Sequence, residues 1–247
     1  MKIGILQAGA SPSEMLEDYG DYDELFEVLL ANRGFEFTTY PVFKNRFPKS
    51  VHDEQGWLIT GSKFSVYENF DWIIRLESFI KESYSVKIPM IGVCFGHQII
   101  AQALGGKVEK FSGGWSVGHV KYDVTPSFIS NKYVDKDRSS TVDLMAWHQD
   151  QVVQKPKDAK VIANSSFCQY ACLSYSTQAL TVQAHPEFTL EFFLGLFKAR
   201  GSGLPQHVFH EFEKEQEVSL SQNLIADRFE AFFKLAIKPS TKSTAKG

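Results

Sequence analysis

Apolar positions along this chain change rhythm twice. Up to Gly106, short runs of consecutive apolar residues alternate with apolar stripes spaced three and four apart. Residues 2–8 (Lys-Ile-Gly-Ile-Leu-Gln-Ala) read as a strand buried on both faces. Leu25, Phe26, Leu29 and Leu30 share one stripe and predict a helix over residues 22–32, with Gly34 as its capping glycine. Residues 35–42 and 56–60 predict two further strands, and Phe70, Ile73, Ile74 and Ile80 predict a helix over residues 70–83. Residues 89–93 form the next strand, followed almost at once by a helix from near Gly96 to Gly105-Gly106. Strands alternating with helices imply an α/β fold, a mostly parallel central sheet flanked by helices.

From Lys107 to about Glu187 the texture becomes one of short alternating runs, at 107–111, 119–124, 142–147, 161–163 and 179–184. These predict antiparallel strands added to the same sheet. After Glu187 the helical rhythm returns. Phe192, Phe193, Leu196 and Phe197 lie on one helix over residues 188–200, which Gly201 to Pro205 breaks. Ile225, Phe229, Phe232, Phe233 and Ala236 lie on another, over residues 219–237. The expected organisation is one α/β domain over residues 1–200, a helical extension of it over 201–237 and a polar, flexible tail over 238–247.

Composition narrows the function classes. A chain of 247 residues can bury a large core, and its 21 phenylalanines suit bulky core packing. A net charge of −3 leaves no basic excess to neutralise phosphates, which argues against a nucleic-acid partner. No apolar run reaches the length of a membrane span, and the N-terminal run is too short for a secretory signal. Cysteines at 94, 168 and 172 make an odd count, so a disulfide framework is not expected and a reducing cytoplasm is.

The chemistry concentrates in Gly92-Val-Cys94-Phe-Gly96. Glycines two residues before and two after a nucleophile let a strand and a helix pack closely while the middle residue stands at a strained turn. The Cys94 thiol then clears the backbone, the Phe95 N–H points to where a carbonyl oxygen becomes negative, and the helix N-terminus favours thiolate. A thiolate that cleaves an amide needs a proton-carrying base, and the base needs an orienting group. Of seven histidines, His185 follows a strand-like run and precedes a carboxylate at i+2, in His185-Pro-Glu187. His97 lies in the elbow itself and is expected to point away along the helix.

These residues resemble the class I (triad) glutamine amidotransferase family. The likeness rests on residues 92–98, on Gln183-Ala-His185-Pro-Glu187 and on the loop Ile59-Thr60-Gly61-Ser62, and spans residues 3 to 190. It implies a flavodoxin-like sheet and a Cys94-His185-Glu187 triad that opens a γ-glutamyl amide through a thioester. It further implies that the Gly61 and Phe95 N–H groups form an oxyanion hole and that Gln98 lies beside the substrate. Trp147-His148-Gln149-Asp150 resembles the family segment that recognises the α-amino and α-carboxylate ends, through His148 and Asp150. Gly113-Gly114-Trp115 resembles a stretch of stand-alone members, including γ-glutamyl peptidases acting on glutathione-type conjugates, and adds Trp115 to the substrate contacts. Many members carry Gly-Gly-Pro or Asn-Gly-Pro at the oxyanion loop. The Thr60-Gly61-Ser62 found here implies a less rigid loop and a pocket less restricted to glutamine.

The first expectation is therefore hydrolysis of glutamine with release of ammonia, passed if at all to a synthetase on another chain. The alternative is a stand-alone γ-glutamyl peptidase, and a third reading is a catalytically idle partner-binding protein. No cofactor and no metal are expected. Ser112-Gly113-Gly114 lacks the acidic follow-up of an ATP loop, no P-loop is present, Cys168 and Cys172 lack a second ligand pair, and His207 and His210 read as a solvated helix face.

Overall fold

The computed structural model describes residues 1–125, 128, 140–206, 208 and 219–236. His207, His210 and the 238–247 tail lie outside the described residues. The chain begins with β1 (Lys2–Leu6), followed by α1 (Leu16–Tyr19) and α2 (Tyr22–Leu29). Then come β2 (Glu36–Tyr40), β3 (Gly56–Ile59), α3 (Asp71–Ser85), β4 (Met90–Val93) and α4 (Phe95–Ala103). Short strands follow: β5 (Lys107–Lys110), β6 (Ser116–Val124), β7 (Thr141–His148), β8 (Asp150–Gln154), β9 (Lys160–Asn164), β10 (Cys172–Tyr175) and β11 (Ala179–Val182). Helices α5 (Leu190–Arg200) and α6 (Gln222–Ala236) complete the described fold.

Among the described residues, nine strands form one sheet in the order β2-β1-β3-β4-β11-β10-β9-β6-β7. The pairings from β2 to β11 are parallel, and those from β11 to β7 are antiparallel. This is the expected α/β fold, a parallel core extended by antiparallel strands. Helix α3 buries Trp72, Ile73, Leu76, Phe79 and Ile80, one stripe of its surface, against the face that also holds α4 and Trp57. On the other face α6 brings Ile225, Phe229 and Phe233 against Ile3, Ile5 and Phe26. Each fully buried phenylalanine of this kind contributes roughly 1.5–3 kcal/mol of transfer free energy.

Several local expectations change. Helix α2 stops at Leu29, not Asn32, because Asn32 takes a left-handed φ of 62° and Gly34 one of 77°, so Gly34 closes the following turn and not the helix. Residues 179–182 are not an antiparallel addition alone: β11 pairs parallel with β4 at the centre of the sheet and antiparallel with β10. Strand β5 leaves the main sheet and pairs with β8 in a separate two-stranded ribbon. Strands β8 and β10 have five and four residues, too short to stand out by alternation.

The sheet order decides where the site lies. Val93 is in register with Val182, and Ile59 with Gly92. The chain therefore leaves β3, β4 and β11 at one edge, carrying Gly61, Cys94 and His185 out together. That is the crevice beyond the carboxyl ends of parallel strands where α/β folds hold ligands.

Candidate active site

Cys94 links β4 to α4 with φ 52° and ψ −102°. For a non-glycine residue such a conformation costs roughly 1–3 kcal/mol and must be held by its surroundings. The Cys94 N–H donates to the Val182 carbonyl at 2.9 Å, and the Cys94 carbonyl accepts the Gln98 N–H at 3.0 Å. A Cβ on Gly92 would overlap the Gly96 carbonyl, and one on Gly96 would overlap the Ile59 carbonyl. Both elbow glycines thus serve close approach, between strand and helix and between helix and β3. As the first helical residue, Phe95 presents an N–H without an intrahelical acceptor.

His185 and Glu187 meet this turn from β11. The His185 Nδ1 lies 2.7 Å from Glu187 Oε1, and both residues are buried. With Nδ1–H given to Glu187, the remaining ring nitrogen is free for the Cys94 thiol, whose sulfur lies close enough to act on the charge of the imidazole. Burial acts to lower the His185 pKa, but the Glu187 carboxylate and the Cys94 sulfur outweigh it, and the imidazole is pushed up to about 10. The ring is further fixed by its own backbone N–H, which donates to the Met145 carbonyl at 2.8 Å, and by Phe188, stacked at 4.0 Å and 5°. Gln222 of α6 donates to the Pro186 and Phe188 carbonyls, so the C-terminal helix clasps the turn that carries the histidine.

Gly61 stands across from the thiol. A Cβ here would come within 2.8 Å of His185 Cε1 and 3.7 Å of Cys94 Cβ, so only glycine leaves the imidazole in place. The loop is not slack despite lacking proline. Thr60 Oγ1 accepts the Ala8 N–H and donates to the Gly61 carbonyl. Ser62 Oγ donates to the Ala8 carbonyl and accepts the Phe64 N–H. Side-chain hydrogen bonds to the end of β1 supply the rigidity that proline would.

Cys94, His185 and Glu187 line a cavity of about 390 Å³ together with Gly61, Gln98, Trp115, His148 and Asp150. Phe95 is buried against Trp72 and contributes its backbone alone. Gln98 donates to the Asp150 carbonyl at 2.8 Å and to Gln183 Oε1 at 3.1 Å. The Asp150 carboxylate accepts from Ser65 Oγ at 2.5 Å and Tyr67 Oη at 3.0 Å, which ties the 62–70 loop across to β8. His148 Nδ1 donates to the Asp150 carbonyl at 3.1 Å. Burial, aided by His185, drives the His148 pKa down to about 3. His148 is therefore neutral, and its Nε2 is a buried lone pair without a protein partner.

His97, by contrast, is sealed under the elbow with Nδ1 on Thr181 Oγ1 at 2.8 Å, and it plays no part in the cavity. Cys168 and Cys172 are buried free thiols; burial raises Cys168 to about 12 and Cys172 further. No group of three metal-ligating side chains occurs among the described residues, and no described helix is long and apolar enough to cross a membrane. Sequence reasoning missed Tyr22, Lys63, Ser65, Tyr67, Phe188 and Arg200 as cavity residues. Phe188 directly follows the His-Pro-Glu run and was within reach of such reasoning. The others come from distant elements, and no local pattern marks them.

The fold and the elbow belong together. The class I glutamine amidotransferase family matches residues 15–193, and the chain belongs to that family. It is 28% identical to γ-glutamyl peptidase 4 of Arabidopsis thaliana, over 83% of this chain and 82% of that one. It is 31% identical to a glutamine amidotransferase-like protein of Schizosaccharomyces pombe, over 90% and 92%. A glutamine amidotransferase structure from Thermotoga maritima superposes with a TM-score of 0.72 at 15% identity, covering 97% of this chain and 99% of that one, and so shares the fold.

Proposed function

We propose that this protein hydrolyses a γ-glutamyl amide bond, with Cys94 as nucleophile, His185 as acid and base and Glu187 as the group that orients and charges His185. The thiolate attacks the γ-carbonyl carbon, and the developing oxyanion accepts the Gly61 and Phe95 N–H groups. His185 gives its proton to the departing nitrogen as the C–N bond breaks, leaving a γ-glutamyl thioester. His185 then takes a proton from water, whose oxygen attacks the thioester. Glutamate leaves, and the thiolate is restored. The carrying observation is the convergence of Cys94, His185 and Glu187 on one cavity at the end of β4 and β11, with His185 hydrogen-bonded to Glu187.

The γ-glutamyl end binds on the His148 side. The neutral Nε2 of His148 accepts from the substrate ammonium, and Trp115 covers the aliphatic stem. The leaving nitrogen is that of an amino acid or peptide. A cavity of about 390 Å³ exceeds what a single amino acid fills, and a relative that matches along most of its length is named a γ-glutamyl peptidase. Glutamine, the substrate expected first, remains the second reading, supported by the relative named amidotransferase-like; its ammonia would be released or passed to a synthetase on another chain. A catalytically idle role is disfavoured by the presence of nucleophile, base and orienting carboxylate around one cavity. The deciding experiment measures ammonia released from glutamine against amine released from γ-glutamyl dipeptides and glutathione. Robust glutaminase activity with inert γ-glutamyl peptides would reverse the order of the two readings, and inertness toward both would reject the chemistry.

A further inference from the structure

The catalytic cavity does not end at the 62–64 loop. A second cavity of about 520 Å³, walled by residues 9–14 and by Phe43, shares Lys63, Phe64 and Arg200 with the first. These three residues form the partition between the two spaces. Lys63 rides on the oxyanion loop, two residues from Gly61, and its ammonium lies 5.4 Å from the Phe64 ring centroid. Arg200 is the last residue of α5 and half-buried. Neither cation has a carboxylate partner among the described residues.

Arg200 also lies close to the reacting groups. The buried Tyr22 hydroxyl is near enough to feel the Arg200 guanidinium, the Cys94 sulfur and the Glu187 carboxylate. Tyr22, the thiol and this cation line the same cavity. The segment facing the partition is itself built: the Asp21 carboxylate accepts the Ser11 and Tyr22 N–H groups and Gln7 Nε2, fixing the 9–13 loop and Tyr22 to one anchor. Glu14 is the acidic group of the second cavity, exposed on its outer wall and hydrogen-bonded to Ser13 Oγ.

We infer that Lys63 and Arg200 form a subsite for the leaving group and bind a carboxylate carried by the departing amine. The inference rests on the γ-glutamyl hydrolase reading and extends it from the bond broken to the molecule released. A substrate whose glutamyl end lies between Gln98 and His148 extends its other end past Cys94 toward the partition. A guanidinium and an ammonium without a carboxylate partner among the described residues select an acidic leaving group at that point, an amino acid or peptide with a free α-carboxylate, over ammonia or a neutral amine. The second cavity then receives whatever that leaving group bears beyond its carboxylate.

The test compares γ-glutamylglycine with γ-glutamylglycinamide, which differ at that carboxylate alone. In the wild-type enzyme kcat/KM should favour the acid by about 10- to 100-fold, as expected for a charge-assisted contact. In Arg200→Gln and Lys63→Gln the ratio should collapse toward unity, more steeply for half-buried Arg200 than for exposed Lys63. A wild-type enzyme indifferent to the carboxylate, or variants that lose both substrates equally, would overturn the subsite. Titration calorimetry of the Cys94→Ala protein with the same two compounds separates the claims. If wild type cleaves neither compound, the proposed chemistry fails, and the subsite stands only if the acid still binds at least tenfold more tightly than the amide. Equal affinities there would reject it independently.

Discussion

Replacing Glu187 with glutamine keeps the shape of the side chain and removes its charge. In the wild type that charge is the largest of the influences raising the His185 pKa, which reaches about 10 in spite of burial. With a neutral amide in its place, burial is opposed only by the Cys94 sulfur, and the imidazole falls toward its ordinary value of about 6.5 or below. At pH 8 the wild-type ring is almost wholly protonated, whereas a ring titrating at 6.5 is roughly 3% protonated. Protonation alone thus predicts about a 30-fold loss at pH 8. A weaker orienting hydrogen bond should bring the total to roughly 10²- to 10³-fold. His185→Ala removes the proton carrier itself and should cost roughly 10⁴-fold or more.

The sign of the pH effect is specific. A raised imidazole pKa keeps the acid form available up to high pH, so the wild-type profile should fall on its alkaline side only near pH 10. In Glu187→Gln that limb should move down toward neutrality, and the deficit should narrow as the pH is lowered. The assay is kcat/KM for amine release from a γ-glutamyl dipeptide, followed from about pH 6 to 11. Two results refute the reasoning: an alkaline limb that stays in place, or losses equal to those of His185→Ala at every pH.

Cys94→Ala should abolish turnover by several orders of magnitude while the circular dichroism spectrum and Tm stay close to wild type. Iodoacetamide followed by peptide mass spectrometry should mark Cys94 well ahead of Cys168 and Cys172, whose thiols burial pushes up; equal labelling in the folded protein would count against an activated thiol. Gly61→Ala should reduce kcat about 10²-fold or more, because the new methyl group lies 2.8 Å from His185 Cε1 and displaces the ring; near-normal kcat would mean the imidazole is less tightly held than described. Gln222→Ala strips the donor from two carbonyls around His185 and should lower stability by about 1–3 kcal/mol together with kcat; a fall in Tm with untouched kcat would show that α6 supports the fold and not the site.

Much of the fold was legible because apolar runs and stripes are local and repeat within a few residues. Strands β1 to β4 and helices α3 and α4 lie within about three residues of their expected bounds. Gly34 departs from its expected role as the cap of α2, because the helix ends at Leu29 and the chain turns left-handed at Asn32 before reaching it. Residues 179–184 likewise carry no mark of their neighbours in their own pattern. Alternation identifies a strand, but hydrogen bonding to β4 or β10 is settled by elements far away in the chain. The role of residues 219–236 was invisible for the same reason: only packing places Gln222 against the His185 turn.

By itself the sequence determined the tight turn at Cys94. Gly92, which lets the strand pass the Gly96 carbonyl, and a carboxylate two residues from His185 act within a few residues of chain, although Gly96 answers to the Ile59 carbonyl of β3. The tertiary structure decided which of these meet. Parallel pairing of β11 with β4 brings His185 across 91 positions to the thiol, and the return of α5 and the 62–70 loop encloses the space beside it with Arg200, Lys63 and Tyr67. Those side chains lie on no shared local pattern. Their convergence follows from strand order and helix packing, which depend on the buried surface of the whole chain and not on any one stretch of it.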